Sequence, residues 1–270
     1  MIPVSVIIPV KNEEKNLPHC LSLLEDFDEV IVVDSHSTDK TPEIVKEYGR
    51  QLVEFDWNGK FPKKRNWALK NISLRNEWVF FLDADEFVTE DFKCELAKVI
   101  AKEDCVGFWV HYTNDFMGKK LKYGAVMPKL PLFKVGAGEY EHIEEDYWSH
   151  LDMEVHEHPI LTGKTGKIKS PIIHCEFRGL SHYIQKHNEY SSWEANRFLK
   201  MKDDKGKLTY RQRIKYALID TWFLGPLYFL YSYFFKLGFL DGKIGFVYAS
   251  YKMQYFFNVK AKIEELRDCR

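Results

Sequence analysis

Residues 78–86 read WVFFLDADE, a run of apolar side chains followed directly by three acids. Such a run is typical of a short strand that is buried on both faces of a sheet. Residues 4–10 (VSVIIPV) and 30–33 (VIVV) are similar runs, and they too end in polar residues: KNEE after the first and DSHSTD after the second. Every predicted strand therefore leads into a polar or acidic turn.

Helical patterns separate these strands. Leu17, Leu21 and Leu24 recur at helical spacing. Thr41-Pro42-Glu43 indicates a helix start, with Thr41 as the N-cap and proline at the first helical position. Strand, helix, strand, helix, strand predicts βαβ units and a parallel sheet. Ligands bind beyond the carboxyl ends of such strands, so the polar turns are expected to meet at one crevice.

Composition narrows the class of protein. The chain has 270 residues, of which 45% are hydrophobic and 29% charged, which is enough apolar material for a folded core. The formal charge of −1 gives no overall case for binding nucleic acid. Five scattered cysteines without a CxxC pair predict neither a disulfide framework nor a zinc site. The N-terminus resembles a strand rather than a signal peptide, so we expect a cytoplasmic protein.

The acidic turn at residues 83–86 is a candidate metal site. Asp83 and Asp85 could hold Mg²⁺ or Mn²⁺ through one or two oxygens while a diphosphate and water complete the coordination sphere. Such a cation would neutralise charge on a departing nucleoside diphosphate. Acidic turns are common, and it is the position directly after a buried strand that favours this interpretation.

Four segments in this order resemble the motifs of the family 2 glycosyltransferases with the GT-A fold. They are VSVIIPVKNEE at 4–14, VDSHSTDKT at 33–41, KRN at 64–66 and LDADE at 82–86. Within that family the chain is most similar to bacterial enzymes resembling lipopolysaccharide core β-1,4-glucosyltransferases. The resemblance implies an α/β fold with a mostly parallel central sheet flanked by helices. It also implies an inverting, metal-dependent transfer of sugar from a nucleotide-diphosphate donor, expected to be a UDP-sugar.

The resemblance assigns the nucleotide pocket residue by residue. Pro9, Lys11 and Glu13 would line the pocket, and Asp34 would accept a hydrogen bond from the uracil ring.

The same resemblance assigns the diphosphate and metal contacts. Lys64 or Arg65 would face the diphosphate or base, and arginine suits bidentate phosphate contact better. Asp83 would touch the ribose or donor sugar, while Asp85 would bind the metal directly. Taken without the neighbouring motifs, the basic residues at 63–65 favour an exposed helix start.

An inverting transfer to a hydroxyl also needs a general base. Residues 154–158 read EVHEH, and Glu157 is the predicted base, with Glu154 and Asp152 as alternatives. An ordinary surface glutamate is the competing interpretation of Glu157. The acidic segment 141–146 (EHIEED) is a rival cluster, more typical of a solvated loop.

Two features near the predicted site leave alternatives open. His156 or His174 could complete the metal site, although an orienting or structural role is favoured. Related enzymes often carry Arg-Leu-Phe before the base motif, whereas residues 131–133 read PLF here. Lys129 or Lys134 could supply the contact that this arginine makes.

The C-terminal third is basic and then aromatic. A run of lysines and arginines occupies residues 200–215, and residues 216–235 are dense in Trp, Tyr and Phe. Asp220 and the Gly225-Pro226 pair argue against a membrane-spanning helix. The pattern favours a segment that lies on a bilayer surface with its cations at anionic headgroups. Helices packed over the catalytic domain, or a dimer contact, are the alternatives.

The sequence thus predicts a GT-A domain at 1–180 and a helical, membrane-associated extension at 181–270. Within the domain, residues 1–105 would form the nucleotide-binding half and 106–180 the acceptor half. The predicted activity is transfer to a lipid-linked glycan such as lipopolysaccharide core, at the cytoplasmic face of the inner membrane. A polyprenyl-phosphate glycosyltransferase and a non-catalytic scaffold with the same fold are the alternative functions.

Overall fold

The structure is a computed structural model that describes residues 1–101, 104–124, 128–143, 149, 151–152, 158–175, 178–200 and 210–268. The chain forms two compact units. The first, the sheet unit, comprises Met1–Thr113 and Val126–Phe177. The second, the helical unit, comprises Asn114–Ala125 and Arg178–Arg270.

Four parallel strands form one half of the sheet, in the order β3-β2-β1-β4. They are β1 (Ile2–Val10), β2 (Phe27–Asp34), β3 (Gln51–Glu54) and β4 (Trp78–Phe81). The helices that connect them are α1 (Leu17–Ser22), α2 (Thr41–Glu47) and α3 (Lys64–Asn71). The three predicted strands are confirmed, and the short β3 is a fourth that the hydrophobic pattern did not reveal.

Antiparallel pairing dominates the rest of the sheet, which continues from β4 through β8, β6 and β11 to β5. These elements are β5 (Glu86–Phe87), α4 (Glu90–Ile100), β6 (Gly107–Phe116), β8 (Lys129–Lys134) and β11 (Thr165–Cys175). The strand β7 (Lys119–Lys120) pairs with the end of β6, while β9 (Gly138–Tyr140) and β10 (Pro159–Leu161) form a separate two-stranded sheet. The sheet is therefore mixed, with its parallel part at the N-terminal end of the chain.

The central strand β1 is buried on both faces, as its apolar run predicts. Val6 and Ile8 belong to a core shared with Leu17 and Leu21 of α1. Ile7 faces the opposite core, which includes Ala68 of α3. Alternate side chains of one strand thus supply two layers, which holds the carboxyl ends of the parallel strands in fixed positions.

The start of α2 differs from the prediction by one residue. Lys40 occupies the N-cap position without a side-chain hydrogen bond, and Thr41 is the first helical residue, whose backbone N–H donates to Asp39 Oδ1 at 3.0 Å. The Thr41 hydroxyl instead accepts a hydrogen bond from the Glu13 backbone N–H at 2.9 Å. A contact between two loops has taken the oxygen that local capping would have used.

The helical unit contains α5 (Leu180–Lys200), α6 (Tyr210–Leu218), α7 (Leu224–Leu230) and α8 (Gly242–Asp268). A π-helical turn, Tyr231–Phe235, and a 3₁₀ turn, Gly238–Asp241, connect α7 to α8. The core of the helical unit contains Ala195, Ile219, Val259 and Ile263. Among the helices that the structure describes, none combines the length and apolar character needed to cross a bilayer.

Candidate active site

The loops that follow β1 and β2 are joined by hydrogen bonds. The Asn12 backbone N–H donates to Ser37 Oγ at 2.8 Å, and Asn12 Oδ1 accepts from the Thr38 backbone N–H at 2.8 Å. The Glu13 contact to Thr41 described above adds a third link. Because both loops follow buried parallel strands, these hydrogen bonds fix the two loops at the carboxyl ends of β1 and β2. We call the surface formed by residues 11–13 and 35–41 the ledge.

Three of the predicted nucleotide-pocket residues lie along this edge. Pro9 is buried in β1, and Lys11 is exposed just beyond it. Glu13 is half-buried, and its Oε2 accepts a hydrogen bond from Asn16 Nδ2 at 2.8 Å. The Glu13 side chain thus braces the start of α1, and only Lys11 of the three presents its side chain freely to solvent.

Asp34 ends β2 with its side chain almost fully buried. Its two carboxylate oxygens accept from the Ser37 backbone N–H at 3.0 Å and from Ser37 Oγ at 2.5 Å. Each oxygen keeps a second lone pair, so Asp34 can still accept a hydrogen bond from a ligand. The Ser37 contacts fix the direction in which that acceptor points.

Lys64 is buried at the start of α3, which overturns the alternative of an exposed basic helix start. Its Nζ donates to the Val10 carbonyl at 2.8 Å and lies 3.2 Å from Asp152 Oδ2. Burial lowers the pKa of Lys64, and the nearby Asp152 and Asp34 offset only part of that effect. Lys64 therefore acts as an internal cation that ties the end of β1 to Asp152.

Asp152, an alternative base in the sequence analysis, is the partner of this lysine. Burial alone would raise its pKa, but the charge and hydrogen bond of Lys64, together with Ser35 and Lys11, outweigh burial and lower it. An ionised carboxylate held by a buried ammonium is a weak proton acceptor. The geometry therefore favours a structural role for Asp152.

Arg65 points from α3 toward the acidic turn. One guanidinium nitrogen, Nη2, lies 2.6 Å from Asp83 Oδ1, and the guanidinium carbon lies 5.3 Å from the centroid of the Tyr140 ring. The neighbouring Asn66 exchanges two hydrogen bonds with the Tyr140 backbone, at 2.9 and 3.0 Å. These contacts fix α3 against β9 and hold Arg65 over the carboxylates.

Three acids form the carboxylate cluster, which we define as Asp83, Asp85 and Glu86. Glu86 Oε2 accepts from the Asp83 backbone N–H at 3.1 Å, while Glu86 Oε1 lies 2.5 Å from Lys129 Nζ. Lys129 Nζ also lies 3.5 Å from Asp83 Oδ2. On the far side, His174 Nε2 lies 3.3 Å from Asp85 Oδ2. The structure therefore brings the predicted Arg65, Asp83 and Asp85 into one cluster.

Burial and charge determine the protonation of this cluster. Burial raises the pKa of Glu86, and the acids Asp83 and Asp85 add to the effect, while Lys129 opposes it. For Lys129, burial would lower the pKa, but the charges of Glu86 and Asp83 outweigh burial and raise it. Lys129 thus stays a cation. It is one of the two lysines that we expected to replace the missing arginine.

A divalent cation fits this donor set only with help from substrate. Asp85, in the turn directly before β5, offers one carboxylate, and His174 of the neighbouring strand β11 offers one imidazole. Within the described ranges no group of three or more His, Cys, Asp or Glu side chains could hold a metal ion by itself. Mg²⁺ and Mn²⁺ are commonly held by one or two protein ligands plus phosphate oxygens and water, and that arrangement suits this turn.

Several predicted residues lie outside the described ranges. They include the predicted base Glu157, the alternative Glu154 and the candidate metal ligand His156. Their roles stay predictions.

Sequence reasoning missed two residues of the site. Glu86 stands in the LDADE motif itself, so its proximity to the other acids was a usable signal. Tyr112 carried no signal, because it lies in β6, far along the chain from the motifs. Its hydroxyl is buried without a hydrogen-bond partner in the part of the chain that the structure describes, and Lys129 Nζ lies 4.8 Å from its ring centroid. Burial, together with Glu86 and Asp83, raises its pKa.

The chain is similar in sequence to known glycosyltransferases. The chain is 28% identical to the lipopolysaccharide core biosynthesis glycosyltransferase LpsC of Rhizobium meliloti (strain 1021), over 97% of this chain and 92% of that protein. It is 25% identical to the uncharacterized glycosyltransferase RP128 of Rickettsia prowazekii (strain Madrid E), over 92% of this chain and 82% of that protein.

Among solved structures, a similar fold is found in the mannosyltransferase PcManGT from Pyrobaculum calidifontis, solved in complex with GDP-Man and Mn²⁺. The TM-score is 0.54 at 17% identity, covering 97% of this chain and 87% of that one. The predicted GT-A fold is therefore confirmed. A family model described as glycosyl transferase family 2 matches residues 5–167, which is more than half of the chain. This protein is accordingly a member of glycosyl transferase family 2.

Proposed function

We propose that this glycosyltransferase moves a sugar from a UDP-sugar to a hydroxyl of a lipid-linked glycan such as lipopolysaccharide core, with inversion at the anomeric carbon. The observation that carries the proposal is the carboxylate cluster at the end of β4, flanked by Arg65 and Lys129. Cations beside carboxylates at this edge of the sheet suit a ligand that brings both phosphates and a metal ion. The similarity to LpsC supports the choice of acceptor.

On the donor side, the ledge formed by the loops after β1 and β2 would receive the nucleoside. Asp34 would accept from the uracil ring, with Pro9, Lys11 and Glu13 along the same edge. Arg65 would contact the diphosphate, because a planar guanidinium matches phosphate oxygens in pairs. In that complex Asp83 would be released from Arg65 to reach the ribose or donor sugar.

Asp85, with Asp83, would hold Mg²⁺ or Mn²⁺ at the diphosphate. A bound cation supplies charge neutralisation of the leaving nucleoside diphosphate. Lys129 adds a second positive charge on the same side, and Glu86 positions that lysine. Glu157 would take the proton of the attacking acceptor hydroxyl. A polyprenyl-phosphate acceptor would need no such base, so the Glu157→Gln variant distinguishes the two kinds of acceptor. We expect its turnover to collapse. Retained turnover would favour the phosphate acceptor.

The helical unit would serve as the membrane-associated extension, holding the enzyme to the cytoplasmic face of the inner membrane. Phe223 and Phe235 expose 72% and 80% of their surface. We define the aromatic surface as the exposed apolar residues between positions 222 and 246: Trp222, Phe223, Leu227, Leu230, Tyr231, Phe234, Phe235, Leu237, Phe239, Leu240 and Phe246. Exposed apolar side chains in this number are typical of an interaction site, and the basic run at 200–215 suits anionic lipid.

The direct test of the donor and metal is thermal unfolding with nucleotides. We expect UDP to raise the unfolding midpoint when Mn²⁺ is present and to do so less without it. GDP and ADP provide the comparison. If no nucleoside diphosphate stabilises the protein with or without metal, the proposed donor chemistry is wrong. Inversion is then read from the anomeric configuration of the product formed from the stabilising donor.

A further inference from the structure

Three parallel strands end level with one another at the ledge. Val10 of β1 pairs with Asp34 of β2, and Asp34 pairs with Glu54 of β3. Two residues beyond Asp34 and Glu54 lie His36 and Asp56. His36 Nε2 is 2.5 Å from Asp56 Oδ1, so an ion pair joins the two loops above the strand ends.

Stability does not explain this pair. The side chains of His36 and Asp56 are 54% and 89% exposed, and exposed ion pairs contribute little to folding. His36 also adopts a left-handed backbone, with φ of 53°, which costs energy for a residue that carries a Cβ. A strained residue held in one orientation by a solvent-exposed partner is more typical of a binding site than of a folding contact.

The position of His36 indicates which ligand it meets. It follows Asp34 in the same loop, and the Ser37 hydrogen bonds to Asp34 fix that loop. Among the described contacts of His36, Asp56 engages Nε2, which leaves Nδ1 and the ring face for a ligand. We infer that His36, oriented by Asp56, contacts the nucleobase of the donor and contributes to the choice of base. This inference rests on the proposed function, in which Asp34 receives the same base.

The charge of the imidazole suggests the kind of base. The hydrogen bond and charge of Asp56 raise the pKa of His36, and Glu54 and Asp34 act in the same direction. A protonated imidazole donates from both nitrogens, so Nδ1–H would favour a carbonyl oxygen such as those of uracil or guanine. Cytosine and adenine would present an amino group at that place. Two hydrogen-bond donors, the amino group and Nδ1–H, would then face each other without an acceptor.

The test is calorimetric titration of wild type, His36→Asn and Asp56→Asn with UDP in the presence of Mn²⁺. Asparagine tolerates the left-handed backbone, so His36→Asn removes the imidazole with the least change in the loop. We expect the Kd for UDP to rise about five- to tenfold in His36→Asn, as for one lost hydrogen bond of ordinary strength, and less in Asp56→Asn. The two changes should not add, because they act on one contact.

Two controls separate base contact from general damage. Inorganic pyrophosphate lacks a base, so its Kd should be the same in all variants. Asp26→Asn removes an exposed carboxylate that pairs with the buried Lys93 at 2.8 Å, beside the first residues of β1, and should leave the Kd for UDP unchanged. The UDP affinity of the wild type should also fall as pH rises through the raised pKa of His36. In Asp56→Asn that fall should move to lower pH.

The outcomes are distinct. If the wild type binds UDP and His36→Asn binds UDP with a Kd within twofold of the wild-type value, this inference is overturned and the proposed function stays in place. An equal loss of UDP and pyrophosphate affinity assigns His36 to loop structure and also overturns the inference. No binding of any nucleoside diphosphate by the wild type overturns the proposed function, and the inference with it.

Discussion

The two units depart from ordinary burial in opposite ways. The sheet unit buries charge: Asp85 and Glu86 are almost inaccessible to solvent beside Lys129. The helical unit exposes apolar surface, with Phe223 and Phe235 largely in solvent. Buried charges and exposed apolar side chains both cost free energy in a folded domain. Each therefore indicates a place where a ligand or partner is expected to bind.

Individual lysines of the two units differ in their partners. Lys129, which is 42% exposed, and the buried Lys64 of the sheet unit each lie against a carboxylate. Lys252 of the helical unit lies 3.3 Å from His187 Nε2 and 5.4 Å from the ring centroid of Tyr248. Burial lowers the pKa of Lys252 to about 8. Lys252 is thus a lysine whose described contacts include no acid, although the buried Lys260 of the same unit is paired with Asp220 and Glu264.

The largest expected effect is at the carboxylate cluster. Asp85→Asn removes the proposed metal ligand and should lower turnover of a UDP-sugar by about 10²–10³-fold, since charge on the leaving group is then poorly neutralised. The measurement is initial rate against Mn²⁺ concentration. Asp91→Asn, an exposed acid on α4, is the matched control and should keep wild-type rates. Turnover of Asp85→Asn within tenfold of wild type would contradict the proposed site.

We expect substitutions in the aromatic surface to weaken membrane binding and to leave the sugar-transfer reaction unchanged. Replacing Phe223 and Phe235 by serine should weaken sedimentation with vesicles containing anionic lipid by about 10- to 100-fold, because two protruding rings no longer leave water. Turnover of a water-soluble acceptor should be unchanged. If vesicle binding persists and the double variant instead changes oligomeric state, the surface is a dimer contact.

Lys252 gives a pH-dependent prediction for the helical unit. Its lowered pKa means that the folded protein loses this proton near pH 8, while the unfolded chain keeps it to about pH 10.4. The free energy of unfolding should therefore rise with pH across that window, because the unfolded state binds more protons there. Lys252→Met should remove this rise and stabilise the protein at pH 7 by about 1–3 kcal/mol.

Urea unfolding at several pH values measures that effect. The difference between wild type and Lys252→Met isolates the lysine from other groups that titrate above pH 8. Identical pH dependence in the two proteins would show that Lys252 is solvated in solution.

The smallest expected effect is at Tyr112. Tyr112→Phe removes a buried hydroxyl that has no described hydrogen-bond partner, so the free energy of unfolding should stay within about 1 kcal/mol of wild type or rise. Thermal unfolding without ligand measures this. A KM for the UDP-sugar that rises while stability is unchanged would extend the donor site to β6 and sharpen the contrast with the helical unit.

Sequence patterns predicted the parallel half of the fold well, since β1, β2 and β4 are apolar runs whose burial on two faces leaves a clear signal. The short β3 gave none, because Gln51–Glu54 alternates weakly and lies at the sheet edge. The motifs located Asp83, Asp85 and Arg65, and chain proximity to Asp85 could have included Glu86. No local pattern could show that Lys64 turns inward or that Tyr112 meets Lys129, because those contacts join residues far apart in the chain.

The sequence by itself determined the family, the strand-to-turn arrangement and the acids after β4, because each depends on short-range pattern: apolar runs, turn residues and ordered motifs. The tertiary structure alone decided which charges meet. Arg65 reaches Asp83, Lys129 reaches Glu86, and Asp56 holds His36, each pair separated by 18 or more positions along the chain. Such pairs form only when strands end at one edge of the sheet and loops fold over that edge. The spacing of these residues in the sequence therefore does not predict them.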